Sequence, residues 1–304
     1  MANLSFIQMN LHVSPTSNTE INKWLSDGED RIALCQEPGQ HKSKVKNIHH
    51  RFRQYMGVHP REDIRPRTCI LINSTKIRIL KLTQFCNRDL VSLLVDEKLI
   101  IASCYMPGEN ESTDPPPQIL QNLVEYCDSK NLKLIIGSDV NAHHTVWGSI
   151  ETNARGETLL EYLVSTDLNI CNIGNRPTYM NITRDEILDL TLATSNVRNN
   201  IRDWKVLDKD MLSDHKPITF ELDWTYVEYT DAYRNVKKTC WTEYRNQLEL
   251  LLFDVTQSED LDTLTDEVNT AIKTAYETSC PMRYPKKIKN LNGGIMILLN
   301  LKRT

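Results

Sequence analysis

The sequence predicts a layered α/β or α+β sandwich, two β-sheets packed face to face with helices outside, followed by a helical C-terminal extension. Three observations lead there. The first three-quarters of the chain is a series of short, β-branched apolar runs separated by turns. Helical periodicity interrupts that series only a few times. After about residue 225 the texture changes to amphipathic helix.

In chain order the strand candidates are LSFIQMNL, DRIALCQEP, TCILIN, KIRILKL, DLVSLLVD, KLIIASCYMP, LKLIIGSDV, LNICNI, ILDLTLATS, DWKVLD and HKPITFELDW. Helices are expected over 17–26, with Ser17 as the cap, over 117–129 after the helix-opening prolines 115–117, and over 156–166. Many strands and few helices leave each sheet one face to bury against the other sheet and one to cover with helix. In the extension, Leu261, Leu264, Val268, Ala271, Ile272 and Ala275 fall at helical spacing and predict a helix over 260–278. A second helix is expected over 241–253, from Trp241 through Tyr244 and Leu248 to Leu251. The last stretch, NLNGGIMILLNLKRT, fits neither pattern, and no internal repeat is visible.

At 304 residues the chain suits one large domain with an appendage, or two modest domains. A hydrophobic content of 40% with 25% charged residues excludes a disordered chain. No apolar stretch approaches the ~20 residues that span a bilayer. The opening MANLSFIQMNLHVSP has no basic region and no small-residue cleavage site, so no secretory signal is expected. The eight cysteines form no C-x-x-C pair, and several, such as Cys35 and Cys104, sit inside apolar runs. They are expected to be core residues of a protein from a reducing compartment. The net charge of −4 argues against a dedicated nucleic-acid binder. One local basic stretch remains: HKSKVKNIHHRFRQYMGVHPR carries Lys42, Lys44, Lys46, Arg51, Arg53 and Arg61 with no acid.

Polar residues recur where apolar strands end. Asn10 ends SFIQMN, Glu37 ends IALCQE, Tyr105 ends IIASCY, and Asp139 and Asn141 end LIIGSDVN. Asp214 and His215 open the last strand, SDHKPITFEL. Each alone has an ordinary explanation: an Asx turn at Asn10, a solvated turn at Glu37, turn composition for D-x-N. Asp189, inside ILDLTLATS, is different, because an unpaired carboxylate there is costly and calls for a buried partner such as an imidazole. Taken together, Glu37 and Asp139 offer the hard oxygens that Mg²⁺ prefers. Asp189 and His215 make an acid–imidazole pair fit for general acid–base work. Asn10 and Asn141 supply neutral donors. The set suits hydrolysis of a phosphodiester, whose transition state gathers negative charge and needs an activated water. The adjacent His143 and His144 have no partner at ligand spacing and are expected to be loop or substrate-facing residues.

In order, QMN, QEP, CYMPG, GSDVNAHH, ILDLTLAT and LSDHKPI resemble the motif series of the exonuclease–endonuclease–phosphatase superfamily, which includes apurinic/apyrimidinic endonucleases and DNase I. GSDVNAHHTVWGS, then NARGETLLEYL and PTYMN…ILDLTLAT, resemble more narrowly the endonuclease domain of non-LTR (LINE-type) retrotransposons, especially the arthropod clades. The resemblance covers roughly residues 4 to 224. It implies a DNase I-like, four-layered α/β sandwich of two mixed sheets over 1–224. Residues 225–304 would be the helical linker-like extension, truncated before the reverse transcriptase expected in a full-length parent.

The resemblance also implies roles. Glu37 is the principal Mg²⁺ ligand, with Mn²⁺ as a substitute, and Asp214 supports the metal side. Asp139 activates the attacking water or protonates the leaving 3′-oxygen. Asn141 and Asn10 bind phosphate oxygens or position Asp139. Tyr105 donates to the phosphate. His215, oriented by Asp189, contacts the scissile phosphate or acts as base. The partner is double-stranded DNA, without a membrane, and the compartment is the nucleus. Two positions depart from the family pattern: His12 stands where many members carry a metal-side acid, and YMPG has Gly108 for the second proline of Y-x-P-P.

The expected function is a Mg²⁺-dependent endonuclease that nicks one DNA strand and leaves a 3′-hydroxyl able to prime reverse transcription. The alternatives are an abasic-site or other phosphoesterase built on the same residues, and a decayed remnant that only binds nucleic acid. DNA binding is expected along Lys42, Lys44, Lys46, Arg51 and Arg53.

Overall fold

The computed structural model describes residues 2–41, 44–61, 64–108, 114–227, 233–253, 261–283, 288–289 and 295–296. The chain divides into two compact units, Met1–Val227 and Glu228–Thr304.

The first unit opens with β1 (Ala2–Asn10), α1 (Pro15–Ser26) and β2 (Arg31–Gln36). A small hairpin of β3 (Gln40–His41) and β4 (Lys44–Val45) precedes β5 (Arg53–Met56) and β6 (Thr68–Asn73). Then come β7 (Ile79–Lys81), β8 (Leu90–Val95), β9 (Leu99–Tyr105), α2 (Gln118–Ser129) and β10 (Lys133–Asp139). They are followed by α3 (Ala154–Ser165), β11 (Leu168–Ile170) and a hairpin of β12 (Tyr179–Met180) and β13 (Asp185–Glu186). The unit closes with β14 (Asp189–Thr194), the short α4 (Ser195–Arg198), β15 (Ile201–Val206) and β16 (Ile218–Trp224).

Twelve of these strands form two six-stranded sheets, ordered β15-β16-β1-β2-β6-β5 and β11-β14-β10-β9-β8-β7. Each sheet has one parallel pair at its centre, β1 with β2 and β9 with β10, flanked by antiparallel neighbours. A parallel pair aligns two C-terminal ends at one edge, which is the arrangement that gathers loops into a site.

Alternation along the strands separates the layers. Leu4, Phe6, Ile32, Leu34, Ile70 and Ile72 point between the sheets and meet Val91, Leu93, Ile101 and Ile135. Phe6 and Phe220, cross-strand partners, stack with ring centroids 4.8 Å apart. The opposite faces carry Ile7, Met9, Ala33 and Cys35, packed on Ile21 and Leu25 of α1, and Ile100, Ala102, Leu134 and Ile136, packed with residues of α2 and α3. The result is the expected four-layered α/β sandwich of helix, sheet, sheet and helix.

Most elements fall where periodicity placed them, with differences at the ends. Helix α1 begins earlier than expected and is capped by Ser14, whose hydroxyl accepts from the Ser17 amide at 3.2 Å. Ser17 is instead buried and donates to the Leu212 carbonyl. The strand β5 and both small hairpins escaped the sequence reading because their strands are two to four residues long, too short to show a periodicity. Seven cysteines are buried core residues as expected, but Cys240 is exposed.

In the second unit, α5 (Trp241–Phe253) and α6 (Leu261–Ser279) pack on one another. Helix α6 buries Ala271 and Ala275, whereas Leu261 and Ile272 of the same stripe are exposed. The pairs β17 (Tyr233–Arg234) with β18 (Met282–Arg283) and β19 (Ile288–Lys289) with β20 (Ile295–Met296) are antiparallel. Apart from Ile295–Met296, the tail 290–304 lies outside the described residues. Among the described residues, no helix is long and apolar enough to cross a membrane.

Candidate active site at the strand ends

The C-terminal ends of the two parallel pairs meet. Asn10 closes β1, Glu37 directly follows β2, and Tyr105 and Asp139 pair at the ends of β9 and β10. One amide ties the sheets together: Asn10 Nδ2 donates to Asp139 Oδ2 at 2.8 Å and to Glu37 Oε2 at 3.2 Å. Asn10 Oδ1 accepts from the His12 amide at 2.8 Å, so the Asx turn is present too and serves to aim the amide group.

Glu37 and Asn141 both hold left-handed backbone, with φ of 45° and 43°. Asparagine tolerates that region, but a glutamate there is strained and persists only where its surroundings impose it. The Asn141 amide turns back to Asp139 Oδ1 at 3.3 Å, while its side chain donates to the Met106 carbonyl at 3.1 Å. The D-x-N turn thus anchors itself to the end of β9.

β14 runs antiparallel to β10 and begins opposite it, with Asp189 paired to Asp139. His215 Nδ1 lies 2.7 Å from Asp189 Oδ2, both side chains almost fully buried. The imidazole partner that a carboxylate inside an apolar strand demanded is therefore His215. With Nδ1 engaged, Nε2 faces Asp139 Oδ2 at 4.0 Å, too long for a hydrogen bond between them. Tyr179 sets its ring against His215 edge-on, with centroids 5.0 Å apart.

The serine of S-D-H has its own task. Ser213 Oγ donates to the Asn10 carbonyl at 2.9 Å and accepts from the His215 amide at 3.2 Å, which fixes the histidine to the end of β1. Asp214 Oδ1 sits 3.2 Å from His12 Nδ1. His12 therefore sits against the Asp214 carboxylate.

Electrostatics separate the two central groups. Burial works against a charged His215, but Asp189, Asp139 and Asp214 outweigh it and raise the imidazole to about 9. Burial raises Asp139 to about 7, opposed by the His215 charge and reinforced by Asp189. An imidazolium at neutral pH beside a carboxyl poised near neutrality is an arrangement for moving protons. Because His215 is raised above its unfolded value of ~6.5, its contribution to stability is complete below that pH and is lost as pH rises through about 9. Thermal unfolding between pH 6 and 10 is expected to show this decline in the wild type. The decline should be much weaker in Asp189→Asn, which removes the partner.

The donors suit a hard divalent cation held sparingly. Among the described residues, no three His, Cys, Asp or Glu side chains converge to hold a metal ion by themselves. Glu37 and Asp139, bridged by Asn10, present carboxylate oxygens, and Mg²⁺ characteristically takes one or two carboxylates and fills its shell with waters and substrate phosphate. A tetrahedral N/S cage is not what these residues offer.

The NARG stretch supports the site from behind. Asn153 caps α3 by accepting from the Gly156 amide at 2.9 Å, and the same oxygen accepts from the His143 amide at 3.1 Å. Arg155, buried, donates to the carbonyls of Asn141 at 3.2 Å and of Pro107. His143 pairs with buried Glu186 at 3.3 Å, and His144 caps the turn 145–147 and packs on Trp147. Both histidines are structural. Gly108 has open space around it, in keeping with a loop change alone.

The basic stretch does not stay together. Lys44 and Lys46 are exposed on and just after the β3–β4 hairpin that follows Glu37. Arg53 pairs with Ile72, toward the far end of its sheet, and spends its guanidinium on the Ser74 carbonyl at 2.7 Å. Arg51, exposed, lies over the Phe52 ring, and Lys42 lies outside the described residues. Sequence proximity suggested one patch, but the chain between Lys46 and Arg53 runs along α1, held by Asn47 to Pro15 and by His49 to Asn22, and separates them.

Residues 99–219 match the family model described as endonuclease-reverse transcriptase. Among solved structures, the endonuclease domain of TRAS1, a telomere-specific non-LTR retrotransposon, is 24% identical with a TM-score of 0.58, over 73% of this chain and 98% of that one. An AP endonuclease from Leishmania major is 11% identical with a TM-score of 0.60, over 73% and 88%. A 3′-5′ exonuclease from Neisseria meningitidis is 13% identical with a TM-score of 0.50, over 72% and 100%. No curated protein matches the chain. These likenesses bear out the DNase I-like fold and the expected resemblance. The matched segment contains Tyr105, Asp139, Asn141, Asp189, Asp214 and His215, while Asn10 and Glu37 precede it.

Proposed function

We propose, from the match of residues 99–219 to the endonuclease-reverse transcriptase family model and from the DNase I-like fold, that this chain is a DNA endonuclease. It hydrolyses a phosphodiester of one strand of a duplex and leaves a 3′-hydroxyl. The observation that carries the reading is the connected set Glu37–Asn10–Asp139, with His215 and Asp189 facing it, at the ends of the strands.

In this reading a phosphate lies against the unengaged His215 Nε2. The imidazolium neutralises charge gathering on the phosphoryl oxygens, and Asp189 keeps the ring in register. Tyr105 and Asn141 donate to the same phosphate's two non-bridging oxygens. Water attacks phosphorus, the bond to the 3′-oxygen breaks, and Asp139 handles the proton, either taking it from the water or giving it to the leaving oxygen. A divalent cation, Mg²⁺ or Mn²⁺ as its substitute, would be held by Glu37 and supported by Asp214. It would supply Lewis-acid stabilisation of the phosphate.

Lys44 and Lys46 are the basic residues suited to the DNA backbone beside this site. Replacing both with alanine is expected to reduce the slope of log affinity against log salt by about 1.8, at ~0.9 per phosphate contact. Arg53→Ala should leave the slope unchanged, since its guanidinium is used internally. Fluorescence anisotropy with a labelled duplex across a salt series measures both.

The substrate is tested with paired oligonucleotide duplexes, one intact and one carrying an abasic site. Cleavage of the intact duplex to a nick that a DNA polymerase extends directly is the expected outcome. Cleavage confined to the abasic duplex would move the protein to the repair-type reading. A nick that needs end repair before extension would contradict the 3′-hydroxyl product.

A further inference from the structure

A buried arginine outside every motif connects the two halves of the site. Arg67, just before β6, has a side chain only 10% exposed. Its carbonyl accepts from the Glu37 amide at 2.7 Å, in the same sheet. Its guanidinium crosses to the other sheet and makes a two-pronged bond with Asp89, Nε to Oδ1 at 2.5 Å and Nη2 to Oδ2 at 2.8 Å. Asp89 in turn accepts the Tyr105 amide at its carbonyl at 2.8 Å. The circuit closes through the aromatic face, because the Arg67 guanidinium carbon lies 4.5 Å from the centroid of the Tyr105 ring. One residue thus holds the strained backbone of Glu37 and supports the ring of Tyr105.

We infer that Arg67 is a positioning residue that acts on the reaction through Tyr105. The inference deepens the endonuclease reading and rests on it. Two physical effects follow from the geometry. A planar cation against the ring face draws on the aromatic quadrupole and makes the phenol a better donor to an anionic oxygen. The two-pronged bond to Asp89 leaves the guanidinium no freedom to slide, so the ring it supports is fixed relative to Glu37. Lysine can keep the charge opposite Asp89, but it offers neither the fork nor the flat face. Methionine would strand a largely buried carboxylate and endanger the fold, so Arg67→Lys carries the test.

The experiment is a double-mutant cycle on nicking of a defined duplex in Mg²⁺. It uses the wild type, Arg67→Lys, Tyr105→Phe and the double variant, with kcat, KM and Tm measured for each. Arg67→Lys is expected to lower kcat about tenfold with KM little changed. In the Tyr105→Phe background the same substitution should change kcat less than twofold, while any loss of Tm stays the same in both backgrounds. Equal kcat losses in the two backgrounds would show that Arg67 does not act through Tyr105 and overturn the inference, with the endonuclease reading intact. No kcat loss from Arg67→Lys in the otherwise wild-type protein would do the same. A folded wild type that nicks nothing would overturn both.

Discussion

Replacing Asp139 with asparagine is expected to slow nicking by about 10³-fold while leaving the fold as stable as before or more so. The two halves of that expectation have one cause. Asp139 is almost completely buried, and burial, countered only in part by His215, raises it to about 7. Above that pH the native state carries an ionised group whose folded pKa exceeds its unfolded one, so ionisation costs stability that asparagine does not lose. The amide keeps the shape and the short bond from Asn10, losing only the long 3.3 Å bond from the Asn141 amide, but it cannot take or give the proton. Single-turnover nicking and thermal unfolding at pH 8 measure both. A variant that loses activity together with a large drop in Tm would mean that Asp139 serves the fold rather than the chemistry. One that nicks at the wild-type rate would remove Asp139 from the mechanism.

Gly156→Ala is expected to destabilise the first unit by more than ~4 kcal/mol, a Tm loss of roughly 10 °C. A Cβ at position 156 would sit 1.8 Å from the His143 carbonyl oxygen and 2.7 Å from its carbon. Both are backbone atoms that cannot step aside, because the His143 carbonyl and amide are each bonded to Asn153. Any relief would push the 141–143 turn away from α3 and break the bond from Arg155 to the Asn141 carbonyl. Gly108→Ala is the control: nothing lies within 4 Å of its Cβ position, and its effect should stay within ~0.5 kcal/mol. Differential scanning fluorimetry distinguishes them. Equal Tm values for the two variants would contradict the packing described for α3.

Much of the site was legible because its parts sit at strand ends, where an apolar run announces the strand and a polar residue announces its end. The demand of Asp189 for a buried partner was readable from the cost of an unpaired carboxylate, and His215 meets it at 2.7 Å. Contacts between layers were not legible. Nothing local to Arg67 or Asp89 tells that they meet across two sheets, and Tyr179 was hidden in a two-residue strand with no alternation. Arg53 shows the converse error: a run of basic residues suggests one surface, yet the chain passes along α1 between them and β5 carries Arg53 toward the far end of its sheet. The motif NARG also reads only in three dimensions, as a cap, a buried anchor and a glycine forced by a backbone contact.

The central claim is that Asp139 and His215 at the strand ends hydrolyse DNA with a divalent cation, and supercoiled-plasmid nicking by the purified chain tests it most directly. Wild type and His215→Ala are assayed with Mg²⁺ and with EDTA. Relaxed circles are expected only with Mg²⁺, and from His215→Ala at a rate at least ~10²-fold below the wild type. Relaxation by His215→Ala at the wild-type rate, or no relaxation by a well-folded wild type, would contradict it.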